Sequence, residues 1–445
     1  MTADLIIRGE TLAFRVDPFA RDPGADTSTA LAHDTDGAIV VSDGRIQAIG
    51  TAGDILAAHP RLPVEHWRGH LIMSGFVDAH AHYPQTEIIA SYGAQLIEWL
   101  NKYTFPAELK FADPTYARGA AEIYLDECLK NGTTSASVYA TVHAGSANAL
   151  FEAAAARDIA IATGKVMMDR NAPAGLTDTP KSGYDDSKRL IAKWHGKGRA
   201  TYVITPRFAP TSTPEQLEAA GALWREHPDA LMQTHISENR KEIAWVKELF
   251  PAARDYLDVY ERAGLIGPGS NFGHAIHLGG REIARLRETG SGISHCPTSN
   301  LFIGSGLFDV KKLRDTRKKP VTVGLATDVG GGSSFSMFAT MRAAYKIAQL
   351  KGYSLHPAKA YYLATMGSAA LLRMSDRIGN LEPGKFADII VIDPRSTPLI
   401  DQRVRRANEI SDVLFAQMIL ADDRAIAATY IAGQRLHTRA GAGPA

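Results

Sequence analysis

The 445-residue chain has little of several features that would point to particular protein classes. Cysteine occurs twice, at Cys128 and Cys296, far apart and outside any CxxC pattern, which argues against a disulfide framework and fits a reducing compartment. The 49 lysines and arginines nearly balance the 48 aspartates and glutamates, so no bulk charge attracts nucleic acid or an anionic membrane. This balance fits a small, roughly neutral substrate.

Long hydrophobic runs are also missing. The first 20 residues carry several charged side chains, including Asp4, Arg8 and Asp17, and so lack the apolar core of a secretory signal. A run of about 18 apolar residues, the length that spans a membrane, does not occur. We therefore expect a cytoplasmic protein with no membrane partner.

Strand-like segments are present at both ends of the chain. The segments DLIIRGETLAF and AIVVSDGRIQAIG alternate apolar and polar residues, and Asp43-Gly44 is a typical hairpin turn. Near the other end, FADIIVID (386–393) and TYIAGQRL (429–436) have the same texture. We predict that residues 1–70 and 380–445 pair into one small β-domain.

Between these ends, short apolar strands alternate with helical stretches, as in repeated β/α units around a parallel sheet. Eight such units over residues 71–379 fit an α/β fold of the (β/α)8 barrel type, and a doubly wound open sheet is the alternative. The eight candidate strands are 71–80, 132–139, 159–167, 201–206, 230–236, 270–276, 291–295 and 321–328.

Polar side chains lie at or near the ends of four of these strands. His80 and His82 are two residues apart, so both imidazoles face the same side of the first strand. His235 ends the fifth strand, His274 lies in the sixth and Asp328 ends the eighth. Singly, each could be a core histidine or a helix-capping aspartate; together they indicate ligands of one hydrolytic metal at the carboxyl-terminal face of a barrel.

Three histidines and one carboxylate suit zinc with a position left for water, although iron and manganese stay open. Two-metal barrels often place a carboxylated lysine at the end of strand 4, where this chain has Arg207. The permanent charge of arginine cannot bridge two metals. Lys165, near the end of the third strand, is interpreted as structural or loop-facing, so we predict a single metal ion.

Glu238 follows His235 by three residues, just beyond the fifth strand. A short turn there can bring its carboxyl group over the metal, which makes it the candidate proton shuttle. The alternative is a surface glutamate in the first turn of the next helix.

Other signals receive plainer interpretations. His143, His277 and His295 are assigned to packing or to hydrogen bonds around the site. The glycine-rich segment 328–337 lacks the GKS or GKT ending of a phosphate loop and is interpreted as a tight active-site turn. The basic segment 311–319 has no interleaved aromatics and predicts a solvated helix end without nucleic-acid binding. The long segment 85–110 is a candidate pocket wall.

Six strings closely resemble the guanine deaminases, a family of the amidohydrolase superfamily, and the resemblance runs from about residue 37 to 436. The HxH pair and the strand-end aspartate belong to the wider superfamily, whereas YPQTE, EWLNKYTFPAE and PRFAP are specific to the family. The strings are GFVDAHAHYPQTEIIASYGAQLIEWLNKYTFPAE, GKVMMDRNAP, TPRFAPTST, HISEN, HCPTSNLFIGSGLF and TDVGGG.

The resemblance implies a (β/α)8 barrel flanked by a β-sandwich from both termini, one zinc per subunit and a homodimer. It implies that the metal ligands are His80, His82, His235 and Asp328, and that Glu238 is the acid/base. The substrate-facing residues it implies are His82, Gln85, Trp99, Arg207, Phe208, His235, Glu238, His274 and Asp328.

The implied reaction is hydrolysis of guanine by water to xanthine and ammonia. Asp328 would take a proton from the zinc-activated water, Glu238 would protonate N3 while C2 is attacked, and His274 would steady the oxyanion or the water. Either Glu238 or Asp328 would then protonate the departing amino group.

Guanine's acceptors O6 and N7 suit bidentate binding by Arg207, as in the reading of guanine in DNA. Gln85 can meet the ring N–H and carbonyl face, and Phe208 can stack on the purine. The alternatives are an aminohydrolase for a related heterocycle (an oxidised guanine, a pterin or an aminotriazine) and, more remotely, a non-catalytic barrel scaffold.

Two positions depart from the family pattern. Ser74 stands where a proline usually precedes GFVD, and Gly273 stands where a larger small residue is common. We expect neither residue to touch a ligand of the metal.

Overall fold

Two β-sheets form the framework of the computed structural model, which describes residues 4–20, 26–92, 95–316 and 318–445. Residues 93, 94 and 317, which fall in the predicted pocket wall 85–110 and the basic segment 311–319, lie outside the described residues. The strands are β1 (Leu5–Phe14), β2 (Leu31–Ser42), β3 (Arg45–Thr51), β4 (Val64–Ser74), β5 (Phe76–His82), β6 (Thr133–Tyr139), β7 (Ala160–Gly164), β8 (Val166–Met167), β9 (Ala200–Pro206), β10 (Leu231–Ile236), β11 (Ser270–His274), β12 (Gly292–His295), β13 (Thr322–Leu325), β14 (Ile389–Ile392), β15 (Ile426–Ile431) and β16 (Gln434–Thr438).

The larger sheet is a parallel barrel whose strands follow one another in chain order, β5-β6-β7-β9-β10-β11-β12-β13, with β8 added beside β9. A doubly wound sheet would reverse its strand order at a switch point, so that alternative is wrong. The barrel strands are almost wholly buried, as expected where helices cover a parallel sheet. The predictions at 132–139, 159–167, 201–206, 230–236, 270–276, 291–295 and 321–328 are confirmed as β6, β7 with β8, β9, β10, β11, β12 and β13.

Backbone hydrogen bonds between the first strand and the turn after the last strand bring the barrel to near closure. The N–H of Asp328 donates to the carbonyl of His80 at 2.9 Å, and the N–H of His82 donates to the carbonyl of Val329 at 2.6 Å. Asp78, buried two residues before His80, accepts hydrogen bonds from the backbone N–H of Thr327, at 3.0 Å, and from its hydroxyl. The closing seam therefore passes through the residues predicted to bind the metal.

The smaller sheet joins the two ends of the chain in the order β16-β15-β14-β4-β1-β2-β3. Its strands form one continuous hydrogen-bonded sheet with its own apolar core, in which Ile39, Trp67, Val391 and Tyr430 pack together. The pairing of β4 with both β1 and β14 joins the amino-terminal and carboxyl-terminal strands. The predicted pairing of the two ends is confirmed.

The candidate strand 71–80 is wrong as a single element. Leu71 to Ser74 belong to β4 of the smaller sheet, whereas β5 of the barrel begins at Phe76. Gly75 makes the crossing, and a Cβ atom there would overlap the Thr134 side chain. The apolar residues continue on both sides of the glycine, so the sequence pattern does not show that the two halves belong to different sheets.

Helices and short turns cover the barrel. Three of the helices, those that begin at Pro114, Pro180 and Pro214, have a capping residue directly before the proline: Asp113, Thr179 and Thr213. The α-helices are α1 (Ala52–Ala58), α2 (Leu96–Trp99), α3 (Phe105–Leu109), α4 (Pro114–Lys130), α5 (Ala144–Ala156), α6 (Pro180–Trp194), α7 (Pro214–Glu226), α8 (Arg240–Leu249), α9 (Tyr256–Arg262), α10 (Gly280–Thr289), α11 (Pro297–Phe302), α12 (Val310–Leu313), α13 (Met337–Leu350), α14 (Pro357–Tyr362), α15 (Ser368–Leu371), α16 (Pro398–Val404) and α17 (Ile410–Leu420). Short 3-10 turns occur at Thr27–Ala30, Tyr83–Ile88, Lys110–Ala112, Ala174–Leu176, Ala209–Thr211 and Asp423–Ala425, and π-helical turns at Leu100–Thr104 and Leu363–Gly367.

No helix in the described part of the chain combines the length and apolar character needed to cross a membrane.

A buried ion pair links the two sheets. It joins Arg199, which precedes β9 of the barrel, to Asp388, which precedes β14 of the smaller sheet. One guanidinium nitrogen of Arg199 donates to Asp388 at 2.9 Å and to the carbonyl of Asp158 at 2.8 Å.

Candidate functional site

Four side chains converge at the carboxyl-terminal end of the barrel. The Nε2 atom of His82 lies 3.2 Å from that of His80 and 3.2 Å from that of His235. The Oδ1 atom of Asp328 lies 3.4 Å from the Nε2 atoms of both His80 and His82. The structure therefore brings together all four residues that the sequence analysis predicts as metal ligands.

The spacing of these atoms fits a bound cation. Two nitrogen ligands about 2.0 to 2.1 Å from one zinc ion, at a near-tetrahedral angle, are about 3.3 Å apart. Lone pairs on imidazole and carboxylate repel one another at such distances unless a proton or metal ion lies between them. The site can therefore hold a metal ion, and its mix of imidazole and carboxylate donors suits zinc.

Histidines bind metals through a neutral ring nitrogen, and the surroundings favour that form here. Burial, with the neighbouring imidazoles, lowers the pKa of His82 and of His235 well below the usual value. The Nδ1 atom of His235 lies 2.7 Å from the carbonyl oxygen of Arg207, which can only accept, so Nδ1 carries the proton and Nε2 faces the cluster.

Asp328 is held as a carboxylate. Burial alone would raise its pKa, but the hydrogen bond from His80 and the charges of His274 and His80 outweigh burial and lower the pKa to about 2. Its backbone has φ 51°, and Ser237 and His274 also have positive φ, at 50° and 67°. Left-handed backbone at non-glycine residues is uncommon and tends to occur at functional sites.

Glu238 lies in the turn after β10 and is only 2% exposed. Helix α8 begins at Arg240, beyond the capping residue Asn239, so the alternative of a surface glutamate in its first turn is wrong. The hydroxyl of Ser305 donates to Oε1 of Glu238 at 2.8 Å. Burial raises the pKa of Glu238, which favours the protonated form that a proton donor needs.

His274 lies between the two carboxyl groups. Its Nε2 atom is 3.5 Å from Oε2 of Glu238 and 3.7 Å from Oδ2 of Asp328, while its Nδ1 atom is 2.9 Å from Oδ1 of Asn300. Burial lowers the pKa of His274, but the charges of Glu238 and Asp328 outweigh burial and raise it. A protonated His274 can donate a hydrogen bond to an oxygen that develops negative charge in this space.

These groups open onto a pocket at the carboxyl-terminal end of the barrel, and the empty space in and above it, solvent included, is about 430 Å³. Every substrate-facing residue predicted from the sequence lines it, and the segment 85–110 supplies part of the wall. The lining residues are His82, Gln85, Leu96, Trp99, Leu100, Thr104, Arg207, Phe208, His235, Glu238, His274, Ile303, Asp328 and Gly331.

Arg207 lines the same pocket and is paired with a residue that the sequence analysis missed. Its Nη1 atom donates to both carboxylate oxygens of Glu108, at 2.9 Å and 2.8 Å, and Nε2 of Gln85 donates to Oε1 of Glu108 at 3.2 Å. Glu108 is the last residue of the family-specific string EWLNKYTFPAE, but nothing in its spacing shows that it faces Arg207.

Ser305 and Asn300 were also missed. Both lie in the string HCPTSNLFIGSGLF, which the sequence analysis used for the family resemblance without assigning a role to either side chain. They hold the carboxyl of Glu238 and the imidazole of His274. The signal that could have found them is their place in the loop after β12, the seventh barrel strand, because such loops build barrel active sites.

The residues given structural roles are placed accordingly. Lys165 is buried and paired with Asp178, as interpreted from the sequence. The Nε2–H group of His277 donates to the carbonyl oxygen of Ser305 at 2.9 Å. His295 stacks on Phe308, and burial lowers the pKa of His295 to about 3. His143 is half-buried and precedes helix α5.

The expectation that Gly273 does not touch a metal ligand is wrong. Gly273 pairs with His235 in the β10–β11 ladder, and a Cβ atom on it would lie 2.8 Å from Cε1 of His80. Because Gly273 has no side chain, the imidazole of His80 can pack directly against its backbone.

Comparisons with known proteins agree with this geometry. Residues 71–436 match the Amidohydrolase family, and residues 37–61 match an imidazolonepropionase-like composite domain of bacteria. The guanine deaminase of Escherichia coli K12 is 48% identical over 421 residues, which cover 94% of this chain and 95% of that protein.

Solved structures show the same similarity. That of E. coli guanine deaminase matches with a TM-score of 0.94 and 46% identity, covering 98% of this chain and 100% of the other. Guanine deaminase from C. acetobutylicum, solved with guanine bound in its active site, has a TM-score of 0.87 and 29% identity over 98% of this chain and 100% of its own. The chain therefore belongs to the amidohydrolase family and, within it, to the guanine deaminases.

Proposed function

We propose that this protein is a zinc-dependent hydrolase that converts guanine and water to xanthine and ammonia. The observation that carries the proposal is one pocket lined by Glu238, Arg207, Gln85 and members of a cluster that could bind a cation. The relatives above, one of which was solved with guanine in its active site, support guanine as the substrate.

One zinc ion per subunit would be held by His80, His82, His235 and Asp328. Zinc lowers the pKa of a bound water to about 7 and so supplies a nucleophile at neutral pH. The neutral imidazoles leave Asp328 as the formal negative charge among these four groups, and its carboxylate can accept the proton that the attacking water loses.

Glu238 supplies the first proton to the substrate. Because burial raises its pKa, the protonated form of Glu238 is favoured, and Glu238 can donate its proton to N3 of guanine as the C2–O bond forms. This transfer prevents a full negative charge on the ring. His274 donates a hydrogen bond to the oxygen that arrives at C2.

Ammonia leaves only after a second proton transfer. The carbon at C2 then bears both an oxygen and the amino group, and Glu238 or Asp328 carries the water's proton to that amino nitrogen. As the C2–N bond breaks and the C2=O bond forms, the hydroxyl group on C2 gives its proton to the cluster and so restores the one that Glu238 donated to N3; one water has been consumed for each ammonia released.

Other residues that line the pocket would recognise the ring. Arg207 can donate to the acceptors O6 and N7, and Gln85 lies beside it. Phe208 and Trp99, both buried, provide apolar surfaces for the purine.

The test is a spectroscopic and ammonia-release assay of the purified, zinc-loaded protein with guanine, adenine, cytosine and an aminotriazine. We expect xanthine from guanine, loss of turnover in Glu238→Gln with zinc content unchanged, and retention in Glu282→Gln, a buried glutamate away from the pocket. Turnover of another heterocycle but not of guanine would retain the metal chemistry and refute the substrate; turnover of none would refute the enzymatic proposal.

Assembly and location belong to the same proposal. We infer a homodimer in the cytoplasm, where the two buried cysteines stay free thiols, with residues 1–70 and 380–445 as one domain around a catalytic domain of residues 71–379. Light scattering during gel filtration measures the subunit number, and a monomeric mass at micromolar concentration would refute the dimer.

A further inference from the structure

Glu108, on α3, is a fully buried carboxylate behind the recognition side of the pocket. It accepts from Nη1 of Arg207 through both oxygens and from Nε2 of Gln85 through Oε1. The ring of Phe105, three residues earlier on the same helix, lies 5.9 Å from the guanidinium carbon of Arg207. Two pocket residues from different parts of the chain thus share one anchor.

This anchor decides which end of the Gln85 amide faces the pocket. A side-chain amide has one donor end and one acceptor end, and a carboxylate can only accept. The NH2 group of Gln85 must therefore point to Glu108, and the carbonyl oxygen is left as the end available to a ligand. Gln85 contributes an acceptor to the pocket wall.

The same anchor also fixes Arg207. Nη1 is held by Glu108, so the ligand meets the remaining N–H groups of a guanidinium whose charge is already balanced by the carboxylate. Arg207 can only donate, and it shares the Oε1 atom of Glu108 with Gln85, so the two side chains are neighbours in the lining of one pocket. The wall consequently presents an acceptor beside donors, without a net positive charge toward a neutral base.

This pattern is the complement of a 6-oxo purine edge. Around guanine, N1–H is a donor, and O6 and N7 are acceptors. In 2,6-diaminopurine, which has the same shape and the same 2-amino group, N1 is an acceptor and the 6-amino group is a donor. We propose, on the basis of the proposed guanine deamination, that Glu108 is a positioning residue that sets this polarity and thereby selects 6-oxo over 6-amino purines.

The test compares guanine with 2,6-diaminopurine, whose 2-deamination would release one ammonia for each water consumed. In the wild-type protein we expect kcat/KM for guanine to exceed that for 2,6-diaminopurine by about 1000-fold or more, because a site built to bind one polarity leaves buried groups unpaired with the other. Wild-type turnover of the two purines within about tenfold would overturn the proposal without any variant.

The informative variant is Glu108→Gln, which keeps the shape but can donate as well as accept. Its own NH2 group can face Gln85, which frees the Gln85 amide to turn. We expect kcat/KM for guanine to fall about 100-fold, while that for 2,6-diaminopurine stays equal or rises, so that the ratio falls at least about tenfold. A purely structural role would lower both values together and leave the ratio unchanged, which would refute the proposal.

The matched control is Glu282→Gln, another buried glutamate, which accepts from the backbone N–H groups of Gly279 and Leu257 and lies away from the pocket. It should leave the substrate ratio unchanged. Thermal unfolding followed by circular dichroism identifies a variant that does not fold, and the wild-type comparison then decides alone. If the wild-type protein turns over guanine and the ratio in Glu108→Gln does not move, only the role of Glu108 fails; if the wild-type protein does not act on guanine, the proposed function fails and this inference with it.

Discussion

The Nε2 atoms of His82 and His235 lie 3.2 Å apart, although 153 residues separate them in the chain. Both imidazoles lie close to the carboxylate of Asp328, and their low pKa favours the neutral form in which a ring nitrogen can bind a cation. Bringing these groups together costs free energy that a cation would offset.

Metal removal should therefore destabilise the protein as well as stop catalysis. We expect dialysis against a chelator to remove one equivalent of zinc, to lower the melting temperature, and to abolish ammonia release until zinc is restored. The measurements are metal analysis and calorimetry of the same samples. His82→Ala should behave like the chelated protein, whereas His70→Ala, on β4 of the smaller sheet, should keep its zinc. Full zinc content in His82→Ala would contradict the ligand assignment.

Ser305→Ala should weaken the proton donor without removing it. The Ser305 hydroxyl donates to Oε1 of Glu238 at 2.8 Å, and its loss leaves one oxygen of a buried carboxyl group unpaired. We expect kcat to fall about tenfold, compared with a factor of about 100 to 10,000 for Glu238→Gln, with zinc content unchanged in both. Steady-state kinetics provide the comparison, and Ser411→Ala, a buried serine on α17, serves as the control. Equal kcat values for Ser305→Ala and wild type would show that the hydrogen bond does not matter to catalysis.

Two helical glycines should respond oppositely to alanine. Gly119 on α4 has open space around it, so Gly119→Ala should stabilise the protein by up to about 1 kcal/mol through helix propensity. A Cβ atom on Gly221 of α7 would overlap the carbonyl oxygen of Ala263, so Gly221→Ala should destabilise by about 1 to 3 kcal/mol or more. Chemical unfolding of both variants tests this, and a stabilised Gly221→Ala would disprove the close approach of α7 to Ala263.

Asp258 should make stability depend on pH in the acid range. Burial alone would raise its pKa, but hydrogen bonds from Arg254 and Arg262, including two at 2.8 Å, outweigh burial and lower it to about 2. A lowered carboxylate pKa stabilises the folded state above the unfolded-state pKa of about 3.9, and this contribution disappears as the pH falls toward 2.

Asp258→Asn should accordingly cost on the order of 1 to 2 kcal/mol at neutral pH, a value reduced because both arginines are more than half exposed. The difference from the wild type should shrink between pH 4 and pH 2. Urea unfolding across this range measures it, with Asp376→Asn, a mostly exposed aspartate, as the control. A difference that stays constant with pH would show that the charge of Asp258 is not the cause.

The sequence could predict those parts of the site that depend on local periodicity. His80 and His82 share a strand face because side chains alternate, and His235, His274 and Asp328 lie at strand ends that a barrel must bring together. The same reasoning placed Glu238 over the cluster, since a three-residue turn after a strand has few directions to take.

Other features depend on contacts between distant segments. Glu108 meets Arg207 across 99 residues, and no spacing in the sequence encodes that pairing. The contact of Gly273 with His80 likewise arises from the packing of one strand against another across the barrel interior. The division of the run 71–80 between two sheets depends on how each half pairs with distant strands, not on its own apolar pattern.

The crossing at Gly75 limits how this protein can be engineered. The strand that ends in His80 and His82 is the direct continuation of a strand held on both edges by β1 and β14. A gene fragment that encodes the barrel alone would leave β4 without its partners β1 and β14, and the strand that carries the proposed ligands His80 and His82 would lose this support. A fusion protein that carries the barrel, or a variant circularly permuted near residue 70, therefore has to include both terminal segments that form the smaller sheet.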